Sequence, residues 1–146
     1  MTTFEEIKQV LKQEFKPYSL QFADDKKVAA IAFLLENEID EPDFQMPYSI
    51  NMVLYPDSHV LKIYTDVFSP ELVASERFVT LYPLMLNRVD LIRFLYDPNI
   101  RNIYVSTEIY FKNSSISKEQ LLFYIYNIQN FLQRFQRELK PFFKTT

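Results

Sequence analysis

The sequence predicts an α+β fold in two layers, an antiparallel sheet of about five strands with helices packed on it, in the order α-β-β-β-α-β-β-α. Three observations predict it. Apolar residues recur at helical spacing in two segments. One holds Phe4, Ile7, Leu11 and Phe15; the other holds Leu121, Ile125, Ile128, Leu132, Phe135, Leu139 and Phe142. Between them "NMVLYPDSHVLKIY", residues 51–64, alternates over two arms joined by a four-residue turn. A second hairpin, strands about 91–96 and 101–111, surrounds Asp97-Pro98-Asn99.

The elements follow in order. Residues 3–16 read as a helix: Thr3 and Glu6 form a capping box, and Pro17 ends it by pushing its predecessor out of helical angles. Residues 18–23 are undetermined. A strand is expected from about Val28 to Glu36, although the continuous apolar run 28–35 allows, by periodicity alone, a buried strand or a buried helix. The Asp24-Asp25 turn before it favours a strand. The stretch 36–43 carries Glu36, Glu38, Asp40, Glu41 and Asp43. Without the ligand spacing and central glycine of a calcium loop, it reads as an acidic connection rather than a metal site. In the hairpin turn Pro56 presets the backbone angle, and Asp57 and Ser58 bond back to the chain. Ser69, Pro70 and Glu71 start a second helix, which Pro83 kinks or divides. Ser117 caps the last helix, with Gln120 three residues on.

A chain of 146 residues suits one domain, spanning 1–146. It has no cysteine, which excludes disulfides, zinc–thiolate sites and thiol nucleophiles. It also has no glycine, where average usage of about 7% would give roughly ten. Phosphate-cradling loops, the dinucleotide fingerprint and the nucleophile elbow all need glycine, so each is missing. A net charge of −3 argues against a general nucleic-acid binder, whose affinity comes from neutralising phosphates. The first residues form no signal core, and the longest apolar run, 28–35, is far short of the ~20 residues a spanning helix needs. The expectation is a soluble, cytoplasmic protein.

Catalytic chemistry is hard to assemble from these residues. His59 is the sole imidazole, placed in a turn beside Ser58, so the expectation is a turn residue and no catalytic site. No cofactor is expected. Arg134, Arg137, Lys140 and Lys144 alternate with phenylalanines that fall largely on the apolar seam, so they read as the wet side of the last helix.

The strongest signal is that helix. Its seam suffices to pack on a sheet, but "LLFYIY", residues 121–126, is apolar all round. Leu122, Phe123 and Tyr126 point about 100–200° away from Leu121, and are covered either by the chain itself or by a partner. They are the candidate partner-binding residues. Lys8, Lys12 and Lys16, four residues apart on the first helix, are a weaker electrostatic choice.

The stretch "LNRVDLIRFLYDPNIRNIYVSTEIYFKNSSISKEQLLFYIYNIQNFLQRFQRELKPFF", residues 86–143, resembles the C-terminal half of YbjN-like proteins, which share the type III secretion chaperone-like fold. The resemblance rests on the Leu86-Asn87 pair, the Arg93-Phe94 step, the Asp-containing turn and the Ser-capped loop before a long amphipathic helix; the chain departs in lacking glycine at its turns. It implies a small bacterial α+β binding module, acidic, cytosolic and commonly dimeric, that holds a protein partner along apolar grooves. The function expected is thus a non-enzymatic, chaperone-like or regulatory interaction module. The alternatives are a ligand-binding or enzymatic domain with a carboxylate-lined pocket, or a structural subunit of a larger assembly.

Overall fold

The computed structural model describes residues 1–33, 48–66, 92–97, 99 and 102–143. The second helix expected from Ser69, the acidic stretch 36–43 and the Leu86-Asn87 pair lie outside the described residues.

Helix α1 spans Phe4–Glu14. Thr3 stands in extended geometry before it and its hydroxyl oxygen accepts from the Glu6 N–H at 3.3 Å. The Glu6 carboxylate returns to the Thr3 hydroxyl at 2.8 Å and to the Thr2 N–H at 3.4 Å, which lowers its pKa. The expected capping box forms, with its return contact on Thr2 and the Thr3 side chain. The helix stops where Pro17 forbids its continuation, and the Phe15 N–H still closes on the Leu11 carbonyl at 2.9 Å.

Among the described residues six strands follow: β1 (Ser19–Ala23), β2 (Val28–Phe33), β3 (Tyr48–Tyr55), β4 (Val60–Asp66), β5 (Arg93–Asp97) and β6 (Asn102–Tyr110). They form one sheet in the order β1-β2-β3-β4-β6-β5, antiparallel at each pairing. The undetermined residues therefore contain the extra strand. At β1 only Leu20 and Phe22 turn towards the helices, too few for an alternation to stand out in the sequence. The ambiguous run at Val28 is a strand, since each of Ala29, Ile31 and Phe33 is buried while the residues between them are half-exposed.

Register explains the core. Ile31 faces Ile50, Met52 faces Ile63, Leu54 faces Leu61, and Leu61 faces Ile109, so one face of the sheet is a continuous apolar surface. Helix α2 (Lys118–Phe143) packs there, with Leu121, Ile125, Ile128, Phe131, Leu132 and Phe135 buried. Each such side chain contributes about 1.5–3 kcal/mol by leaving water. Ser117 caps α2 as expected, its hydroxyl accepting from the Gln120 N–H at 3.0 Å. Phe94 of β5 fixes the sheet to α2 by meeting the rings of Phe131 and Phe135 at 5.7 and 5.1 Å.

Both N-terminal hairpins turn the same way. In 24–27 the Lys27 N–H donates to the Asp24 carbonyl, and in 56–59 the His59 N–H donates to the Pro56 carbonyl, each at 3.3 Å. Lys27 (φ 54°) and His59 (φ 55°) close these turns in the left-handed region. A chain without glycine thus holds two β-carbons where glycine fits more easily. Lys27→Gly is expected to stabilise the fold by about 0.5 kcal/mol, the relief exceeding the added freedom of the unfolded chain. The midpoint of urea denaturation checks it, and a lower midpoint would refute the strain.

Candidate partner-binding surface

The exposed side of α2 carries two large rings. Phe123 is 57% and Tyr126 44% exposed. Leu122, grouped with them by sequence, is half-buried and packed against the core. Helical geometry gives the reason: at ~100° per residue Leu122 lies about 60° from the buried Ile125, whereas Phe123 lies about 160° from it.

Tyr126 belongs to a larger aromatic patch, and Phe123, one turn before it on α2, lies edge-on to Tyr124 at 5.7 Å. Phe15, fully buried at the end of α1, meets Tyr126 at 5.8 Å, Tyr18 at 6.1 Å and Phe33 at 5.8 Å. Tyr18 also lies against Phe33 at 4.7 Å and stays 40% exposed. Residues 15–18 form a turn in which the Tyr18 N–H donates to the Phe15 carbonyl at 3.0 Å, so both rings are aimed at one spot. An ion pair of 2.6 Å between Lys118 and Glu14 ties the start of α2 to the end of α1 beside it. Sequence reasoning missed Tyr18 because residues 18–23 had no assignment; an aromatic directly after the helix-ending Pro17 was the available signal.

The three-lysine stripe does not form. Counting from Phe4 at ~100° per residue, Lys8 stands at about 40° and Lys12 at about 80°, while the buried residues cluster near 0°, and Lys16 lies beyond the end of the helix. Lys8 is therefore turned to the core edge, its ammonium held by Asp24 at 2.7 Å and Glu5 at 3.3 Å, over the rings of Phe4 and Phe22. Lys12 stays exposed over Phe22 at 5.6 Å, and Lys16 sits exposed in the 15–18 turn. The hydrogen bond to Asp24 raises the Lys8 pKa above 10.5, its ordinary value. A raised lysine pKa adds stability that is complete below the unfolded value and disappears as pH climbs through the folded one. Wild type is accordingly expected to exceed Lys8→Met in stability by a constant margin from neutral pH to about 10, then to converge with it. Urea denaturation across that range measures the margin; convergence near neutral pH would overturn the assignment.

The other sites named from sequence separate. His59 closes its turn, and its ring lies edge-on to Phe111 at 5.8 Å while its carbonyl accepts from the Phe111 N–H. Arg134 and Arg137 are exposed, as a wet side requires. On the sheet face opposite α2, Lys62 sits over Tyr64 and Tyr104 at 5.4 and 4.8 Å. Arg93 pairs with Glu108 at 3.0 Å, and the Tyr110 hydroxyl donates to the same carboxylate. The Glu108 carboxylate on this face thus meets a cation and a phenol, not another carboxylate. Among the described residues, no group of three His, Asp or Glu lies together as a metal site would need. Also among them, no helix is long and apolar enough to cross a membrane.

The described geometry defines a class of structure: helices on one face of an antiparallel sheet, with an aromatic patch where the two described helices meet. The chain shares this fold with a chain of the ExsC–ExsE complex, with a TM-score of 0.60 at 15% identity over 96% of this chain and 98% of that one. A chain of the HopA1–SchA chaperone–effector complex is similar as well, with a TM-score of 0.53 at 11% identity over 93% and 95%. No protein-family model and no curated protein matches the sequence.

Proposed function

We propose that this protein is a non-enzymatic, chaperone-like interaction module that docks a protein partner on the patch formed by Tyr18, Phe123 and Tyr126. One observation carries the reading. Two large rings stand exposed on α2, and one of them, Tyr126, rests against the buried Phe15, an arrangement rich in the residue types that dominate protein interfaces. The shared fold supports it, since one of the similar chains comes from a complex described as chaperone–effector. The kinship with YbjN-like and type III secretion chaperone-like proteins, a cytoplasmic location and a homodimer are parts of the same proposal. Sedimentation equilibrium tests the dimer, and a monomer at micromolar concentration removes it. The principal test is a tagged pull-down from the native cell with wild type and with Phe123→Ser/Tyr126→Asn. A partner retained by both proteins would refute the docking surface.

A further inference from the structure

The patch is flanked by charge of one sign at two of its borders, although the chain as a whole is acidic, with a net charge of −3. Lys16 occupies the tip of the turn whose ends, Phe15 and Tyr18, carry two of the patch rings, and it is exposed. Along α2, Arg134 falls within about 20° of the Phe123 azimuth and about 12 Å beyond Tyr126, on the same outer stripe. It too is exposed. Glu119 lies on that stripe before Phe123 and is the acid at the opposite end. Lys118 and Glu14, between that end and α1, neutralise each other.

From this layout, and resting on the docking surface proposed above, we infer that the occupant is an acidic amphipathic segment of another protein. Its apolar side chains cover Phe123, Tyr126 and Tyr18. Its carboxylates meet Lys16 and Arg134, and the Glu119 end takes the uncharged part of the segment. Charges placed around an apolar centre govern which partner is admitted and how fast it arrives, more than how tightly the centre holds it. Binding therefore weakens with salt, and a basic segment of equal apolarity is rejected.

Random 12-residue peptides displayed on phage, selected on the full chain and counter-selected on Phe123→Ser/Tyr126→Asn, test the inference without a known partner. The expected winners combine apolar anchors with a net negative charge. A synthesised winner is expected to bind Lys16→Glu/Arg134→Glu about tenfold more weakly than wild type, and to lose a comparable factor when sodium chloride is raised. Circular dichroism checks that both variants fold; the substituted side chains are largely exposed. Neutral or basic winners, or winners indifferent to charge reversal, overturn the acidic partner while leaving the docking surface standing. No enrichment on wild type over the aromatic variant overturns the docking surface itself.

Discussion

Phe15→Ala is expected to lower the unfolding free energy by about 3–5 kcal/mol, the range for deleting a fully buried ring. The residue has no solvent exposure and sits where three parts of the molecule converge: the end of α1, the end of β2 at Phe33, and α2 at Tyr126. Its neighbours are held by their own backbones, so they cannot collapse into the space the ring leaves, and the cavity adds to the lost transfer energy. A small domain has only about 5–15 kcal/mol in total, so the variant stands close to unfolding at physiological temperature. Phe15→Leu keeps most of the volume and is expected to lose less than about 1.5 kcal/mol. Urea denaturation with a common slope measures both. An alanine variant within about 1 kcal/mol of wild type would show that Phe15 is not the floor on which the patch rests.

The second large effect falls on binding. Removing both exposed rings, Phe123→Ser/Tyr126→Asn, is expected to weaken a purified partner by about 30-fold or more, because even one aromatic anchor at an interface centre is worth ~2 kcal/mol or more when truncated. The folded state loses far less. Phe123 is more than half exposed and Tyr126 only leans on Phe15, so a stability change of about 1 kcal/mol or below is expected. Isothermal titration beside urea denaturation separates the two readouts. A loss of affinity smaller than about fivefold, with the variant folded, would remove α2 from the interface.

Much of this architecture is legible in the sequence, for identifiable reasons. Caps are local, so Thr3 with Glu6 and Ser117 with Gln120 announced the starts of α1 and α2 correctly. Alternation is local too, and it located β3 and β4 on either side of Pro56. What escaped depends on neighbours distant in sequence. β1 is a strand because Leu20 and Phe22 find β2 and the helices, a fact its five residues do not carry alone. Lys8 looked like a member of a wet stripe until Asp24, sixteen positions on, came to face its ammonium. The patch shows the same division. The sequence placed Phe123 and Tyr126 away from the seam, but the contact of Tyr126 with Phe15 exists only once α2 lies against the end of α1.

That adjacency has a consequence in time. Helices α1 and α2 stand at opposite ends of the described order, and residues as far apart as Met1 and Ile116, 115 positions, exchange backbone hydrogen bonds. Contacts of such sequence separation form late and slowly. During synthesis, at ~5–20 residues per second, Phe15 emerges several seconds before Tyr126 can cover it. A nascent chain therefore exposes the Phe15 ring without owning the patch, so any partner that needs the assembled rings must wait until α2 has left the ribosome.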